Sequence, residues 1–305
     1  MASEILVQCP DATVRRQLRE WLEEGRIAPP IPLSMDVRLE RPVVRVDADP
    51  AAFHQPGVSL RLIPPDNRLS ISWDAAPAVA ELLPGEPTAR VRLSREAVER
   101  LDESKRTFFL TVLVCLLRRA GWHHVHGGTA VDRQGRGWLF AGDSHSGKST
   151  TAALVSSRGW AVGTDDIAFL ASAGERVEAH AFRSRIALRP GGHDLLARTG
   201  GVPLPERGKV GFWPDELGGG WVPRVDPEIV VFTTVGDDVT RAERLGPGEL
   251  LAELVHWSAW VVLEPGLAQE HLELLTRLGR QSRGYRVSLG RDLFREADLL
   301  SELIP

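Results

Sequence analysis

The chain is short of cysteine and lysine and has no long apolar run, and each shortage excludes something. Its 305 residues include two cysteines, Cys9 and Cys115. They lie far apart and match neither a disulfide framework nor a metal-ligand spacing, which points to a reducing compartment. The longest apolar run, Phe108-Phe-Leu-Thr-Val-Leu-Val-Cys-Leu-Leu117, stops at Arg118-Arg119. A membrane-spanning helix needs about 20 such residues, so this run reads as a buried core helix. The start, Met1-Ala-Ser-Glu-Ile5, lacks the basic residues and apolar core of a signal peptide. A cytoplasmic protein is therefore expected. A net charge of −4 and an isoelectric point near 6.2 give no bulk attraction to nucleic acid or to anionic membrane. Neither is expected as a partner. With 43% hydrophobic and 26% charged residues, the chain is globular and long enough for one large domain or two smaller ones.

Lysine is the more informative scarcity. Lys105, Lys148 and Lys209 are the only lysines among 37 basic residues. Arginine, with its planar fork, supplies the rest, so a lysine here suggests a place where a compact, rotatable charge is required. Lys105 lies in a charged helix start and suggests nothing further. Lys148 closes Gly142-Asp143-Ser144-His145-Ser146-Gly147-Lys148-Ser149, with Thr150 next. This is a complete G-x-x-x-x-G-K-[ST] phosphate-binding loop, or Walker A. Its glycines let successive backbone N–H groups turn toward phosphate oxygens, and the helix that follows adds the positive end of its dipole. Lys148 would reach the β- and γ-phosphates. The Ser149 hydroxyl suits magnesium, which prefers oxygen ligands. The flanks agree: Trp138-Leu-Phe-Ala141 reads as a buried strand before the loop, and Thr150–Val155 as a helix after it. ATP and Mg2+ are the expected cofactors, with residues 142–150 as the nucleotide site.

No repeat or low-complexity tract is present, and two regions emerge from changes in pattern. Residues 1–94 read as a small α+β module. A strand at 4–8 is followed by a helix with Val14, Leu18 and Leu22 on one face and by a proline-rich connector at 27–33. Short alternating strands come next, around Val37/Leu39, Val44/Val46, Val58/Leu60/Leu62, Leu69/Ile71/Trp73 and Val91/Leu93, with a hairpin at Pro64-Pro-Asp-Asn67. Residues 95–305 read as the catalytic domain. A helix over about 95–119 leads to a strand at 123–131, a polar turn at 132–137, and then the loop strand and its helix. Strands follow at 177–182 and 186–188, a Gly/Pro-rich loop at 190–223, and a buried strand at 229–235. Helices at 247–257 and 267–280, a strand at 285–289 and a last helix at 291–303 complete the pattern. The loop carrying Lys209 is long enough to suggest a functional lid.

A phosphate loop needs acidic partners before it can transfer phosphate. Two strand ends offer an aspartate pair: Thr164-Asp165-Asp166, and Val235-Gly236-Asp237-Asp238. Either suits a metal- or proton-binding role. The short connection from the loop's helix favours the first, because it sets adjacent strand ends side by side.

Three segments together, His126-Gly127-Gly-Thr-Ala-Val131, Gly142–Thr150 and Arg158-Gly-Trp-Ala-Val-Gly-Thr-Asp165-Asp166, resemble the HPr kinase/phosphorylase superfamily. That superfamily shares its core with ATP-dependent phosphoenolpyruvate carboxykinase. The resemblance covers about residues 120–170. It continues loosely through Arg189-Pro190, Lys209 and Gly284–Asp292, which look like the tail of smaller related kinases, some acting on lasso-peptide precursors. It implies an α/β fold with a mixed central sheet in an HPr-kinase-like P-loop domain. It further implies that Asp165 is the general base, that Asp166 and Ser149 bind magnesium, and that His126 lies beside the metal or the γ-phosphate. Lys148 completes the catalytic set, and Lys209, Arg185 and Arg189 are candidate substrate or phosphate contacts. The implied activity is ATP-dependent phosphorylation of a serine-type hydroxyl on a peptide or small protein, with a homo-oligomer expected. Two departures stand out: Thr150 replaces the glutamate usual after the loop serine in the bifunctional enzymes, and His145 replaces a small residue. They argue against HPr as the acceptor. A small-molecule kinase and a non-catalytic ATP-binding regulator remain as alternatives.

Overall fold

The structure, a computed structural model, describes residues 4–40, 53–55, 57–100, 103–195, 201–204, 208–236, 238–296 and 298–305. The chain separates into two compact units. The first comprises Met1–His123 with Val262–Ala268, and the second His124–Val261 with Gln269–Pro305.

The first unit contains β1 (Ile5–Gln8), α1 (Ala12–Gly25), β2 (Leu33–Leu39), β3 (Phe53–Gln55), β4 (Val58–Ile63), β5 (Arg68–Trp73), β6 (Ala78–Leu82), β7 (Thr88–Leu93), α2 (Arg95–Glu99) and α3 (Glu103–Arg118). Its seven-stranded sheet has the order β1-β2-β7-β6-β5-β4-β3. β1, β2 and β7 are parallel, and the pairings from β7 to β3 are antiparallel. Alternation decides which face is buried: Leu69, Ile71 and Trp73 of β5 point inward. Asp11 caps α1 by accepting from the Thr13 and Val14 amides, and the helix buries its Val14, Leu18 and Leu22 stripe. The apolar run is indeed a core helix, with Phe108 of α3 stacked 6.1 Å from Trp73. Two expectations change here. β6 was not anticipated, because Ala78-Val-Ala-Glu-Leu82 is buried at four of five positions and does not alternate. The single helix expected over 95–119 stops at Arg100 (φ −83, ψ 61) and resumes at Glu103, in the same unit as the seven-stranded sheet. The strand around Val44/Val46 lies outside the described residues.

The second unit begins with β8 (His123–Val131), β9 (Gly137–Ala141), α4 (Lys148–Ser157), β10 (Ala161–Thr164), β11 (Ile167–Ala173), β12 (Arg176–Ala181), β13 (Ile186–Leu188) and α5 (Pro190–Leu195). It continues with β14 (Val202–Leu204), β15 (Lys209–Phe212), α6 (Pro214–Leu217), β16 (Gly220–Trp221), β17 (Arg224–Val225), β18 (Pro227–Val235) and β19 (Arg241–Arg244). α7 (Pro247–His256), α8 (Pro265–Gln281, in this unit from Gln269 onward), β20 (Arg283–Leu289) and α9 (Leu299–Leu303) close it. The main sheet is mixed, with ten strands in the order β17-β12-β11-β8-β9-β18-β20-β19, β10 pairing with β8 and β16. β9, β18 and β20 are parallel neighbours; β8 runs antiparallel to β9.

Both faces of these central strands are covered. On one side Trp138 and Phe140 pack with Ala152–Val155 of α4. On the other, Leu139 and Ala141 pack with Leu250 and Leu254 of α7 and Leu274, Leu275 and Leu278 of α8. This explains the uninterrupted apolar run of β9, since a strand buried on both faces needs no polar alternation. The segment 190–223, expected as a loop, instead carries α5, β14, β15, α6 and β16, and β13-β15-β14 form a separate three-stranded sheet. Its many glycines and prolines mask short strands whose pairing supplies the order that propensity does not. The last helix expected over 291–303 is split into a 3-10 turn at Arg291–Phe294 and α9.

Candidate active site

The phosphate-loop sequence joins β9 to α4. Gly147, at φ 96, forms the N-cap of that helix, a conformation that an L side chain disfavours. His145 stands at φ 71, also in the left-handed region, and its Nε2 lies 3.3 Å from Nη2 of Arg189. The Lys148 side chain is buried, and its Nζ donates to the carbonyls of Gly142 and Asp143, each at 2.8 Å. Burial pulls its pKa below the ordinary lysine value, while Asp166, Asp165 and Asp143 oppose the shift. The Asp143 carboxylate accepts from the Ser144 amide at 2.6 Å, and the Ser146 amide donates to the Asp143 carbonyl. The Ser146 hydroxyl is engaged elsewhere, 2.9 Å from Oγ1 of Thr233 on β18. Thr150 faces the start of α5, its Oγ1 close to Gly192.

The first aspartate pair is brought beside this loop by β8. Gly127 pairs with Ala141, the last residue before the loop, while its own amide donates to the Asp166 carbonyl at 3.1 Å. A Cβ on Gly128 would lie 2.9 Å from the Thr164 carbonyl oxygen and 3.2 Å from Cα of Asp165, so the strands meet this closely only over glycine. Thr164 holds the turn through its hydroxyl, which accepts from the amides of Asp166 and Ile167 at 3.2 Å each.

The two carboxylates then diverge in environment. Asp165 is 3% exposed. Burial first, and the neighbouring Asp166 charge second, push its pKa above the ordinary carboxylate value. A hydrogen bond with Ser149, the Ala187 amide at 3.3 Å and the Lys209 charge pull the other way. The Asp166 side chain is 43% exposed and sits 3.0 Å from Nδ1 of His126, itself 40% exposed. One carboxyl is buried and shifted toward holding its proton; the other is open and paired with an imidazole. His123 and His124 are buried, and His124 packs edge-on to Phe169 and Trp260.

Lys209 opens β15 and acts electrostatically on both Lys148 and Asp165. Arg189 reaches His145. Arg185 instead donates to Glu216 at 3.0 Å and lies 4.6 Å over the Trp213 ring. Of the second pair, Asp237 lies outside the described residues, and Asp238 is 84% exposed, 4.0 Å from Arg291. Among the described residues no group of three or more His, Cys, Asp or Glu side chains is arranged to hold a metal, and no helix is long and apolar enough to cross a membrane. Sequence reasoning did not single out Arg183, whose guanidinium stands 4.0 Å over Trp213 and 5.6 Å over Trp221. Those partners are distant in sequence, so no local spacing announces the cluster.

No protein-family model matches the chain, and no curated protein matches it. Among solved structures it is similar to the Hpr(Ser) kinase/phosphatase from Coxiella burnetii. The identity is 14%, over 59% of this chain and 99% of that one, with a TM-score of 0.29. A likeness this shallow carries no functional argument; the chain's own side chains must.

Proposed function

We propose that the second unit is an ATP-dependent phosphotransferase that moves the γ-phosphate to a hydroxyl of a peptide or small protein. The observation that carries this reading is the contrast within one dipeptide. Asp165 is buried, hydrogen-bonded to Ser149 and shifted toward proton uptake, while Asp166 is open and charged beside it. A hydroxyl acceptor needs a base to take its proton, and a nucleotide donor needs an oxygen-rich place for a cation. The residues fit both groups. Backbone amides of 142–147 and Lys148 would hold the triphosphate. Ser149 and Asp166 are hard oxygen donors suited to magnesium, which would supply charge neutralisation at the phosphates. Asp165 accepts the acceptor's proton, held in place by the Ala187 amide. His126 keeps the Asp166 carboxylate oriented through its Nδ1 contact. Lys209 and Arg189 add positive charge along the same wall.

The test is mass spectrometry of serine-containing peptides incubated with the protein and magnesium-ATP. The reading predicts a mass gain of one phosphate, lost in Asp165→Asn while ATP still binds. ATP binding with no phosphate transfer to any hydroxyl, in the wild type, would favour a regulatory nucleotide-binding role instead.

A further inference from the structure

Four cations, Lys209 of the small three-stranded sheet and Arg183, Arg185 and Arg189 in the chain flanking β13, belong to the segment whose Ala187 amide bonds Asp165. In β13 and β15, Ala187 pairs with Gly211 and Leu188 with Val210. Period-two alternation therefore places Lys209, Gly211 and Ala187 on one face. Lys209 is close enough to act electrostatically on Asp165 and Lys148. Along the chain through β13 the order is Arg183, Arg185, Ala187, Arg189, of which only Ala187 lies within the strand. Arg189 touches His145 of the phosphate loop, and the Ala187 amide holds Asp165. Arg185 and Arg183 precede Ala187 in the chain, on the other side of it from Arg189.

Two tryptophans pack against the arginines that precede β13. Trp213 sits under both guanidiniums, at 4.0 Å from Arg183 and 4.6 Å from Arg185. Trp221 is fixed by its Nε1, which donates to the carbonyl of Gly163, two residues before Asp165. Gly211 leaves room for Arg185: a Cβ there would lie 3.1 Å from its Cβ and Cδ. Arg185 has a carboxylate partner, Glu216, which also accepts from the Trp213 amide at 2.7 Å. Arg183 has none among the described residues, and its Nε is buried without a hydrogen-bond partner. An arginine stacked on an aromatic ring and left without an anion holds a planar donor fork ready for one.

We infer that Arg183, with Arg185 and Trp213, forms an acceptor subsite that binds a carboxylate on the phosphate acceptor, next to the hydroxyl that Asp165 deprotonates. This rests on the phosphotransferase reading, since it divides the wall into a donor side at Arg189 and Lys148 and an acceptor side at Arg183.

Two probes share one hydroxyl and differ only in charge: N-acetylserine and N-acetylserinamide. With magnesium-ATP, the wild type should phosphorylate the carboxylate with kcat/KM about tenfold above the carboxamide, the worth of one charge-assisted hydrogen bond. Arg183→Gln should erase that preference through KM, leaving the KM for ATP unchanged. Equal rates on the two probes, or a preference that survives in Arg183→Gln, would overturn the subsite. Tryptophan fluorescence titrated with N-acetylserine, compared with Trp213→Phe, reads the subsite without turnover. Quenching that Arg183→Gln abolishes supports the subsite even if no phosphate is transferred, in which case the phosphotransferase reading fails alone. Transfer with no carboxylate dependence sinks the subsite alone, and neither quenching nor transfer rejects both.

Discussion

Asp165→Asn should abolish turnover and stabilise the protein, two effects of opposite sign from one atom. Asp165 prefers its proton more strongly in the folded state than in the unfolded chain, because burial and Asp166 both disfavour its charge. Between the unfolded value near 3.8 and the raised folded value, the folded state binds the extra proton, so stability falls as pH rises through that window. Above the window the full penalty persists. Asparagine removes the charge and keeps the shape. Its carbonyl oxygen can accept from the Ala187 amide, which lies 3.3 Å from the Asp165 carboxylate in the wild type, and its NH2 group can meet the Ser149 hydroxyl. Relief of a buried functional charge is worth about 1 kcal/mol, within the usual range for stabilising replacements at active sites. In a unit of this size that is about 2–4 °C in Tm. The gain should be present at pH 7 and vanish below pH 4, where the wild type is protonated in both states. Calorimetry across pH measures it, alongside phosphotransfer, which should fall about 100-fold or more for loss of a general base. A variant that melts lower than the wild type at pH 7, or that keeps its rate, would refute the assignment of Asp165 as a buried, charged base.

Four other expectations follow from the same geometry. Lys148→Met should remove the thermal shift given by magnesium-ATP, because Lys148 is the cation at the loop; an unchanged shift in differential scanning fluorimetry would contradict this. Asp143→Ala should tighten ATP binding, by about fivefold for roughly 1 kcal/mol, since the Asp143 carboxylate occupies the Ser144 amide that a phosphate would use. Calorimetric titration reads the direction. Gly128→Ala should cost about 1–3 kcal/mol and disturb Asp165, because the added methyl group would press on the Thr164 carbonyl. Urea denaturation gives the first effect and turnover the second. Asp238→Asn should leave kcat/KM within about twofold, as expected for an exposed charge paired weakly at a distance.

How legible the site was depended on sequence distance. Residues 142–150 and the Asp165-Asp166 pair are short local patterns that a sequence displays directly. Their adjacency was readable through the short return from α4. Which of the two aspartates is dry was not, since that depends on Ala187 and Ser149 closing over Asp165. The strands of residues 186–212 were partly hidden, because glycine and proline dominate the segment and only the β13–β15 pairing gives it order. The Arg183 contacts were invisible: Trp213 and Trp221 are distant in sequence, and nothing in a periodic pattern joins them to an arginine after β12. β6 was missed for the opposite reason, an apolar run too uniform to show a period.

The bond between the Ser146 and Thr233 hydroxyls reaches 87 residues along the chain. β9, which carries the loop, takes its parallel partner from the same distant strand, with Phe232 opposite Ala141. The loop motif is therefore not a transferable cassette. A nascent chain that has emerged only as far as residue 226 already holds every residue of the motif and both aspartates, yet one edge of β9 has no strand to pair with and the loop has no anchor. Assembly of the loop must wait for β18, a late and non-local event, so the conformation of this loop depends on a segment that contains none of its motif residues.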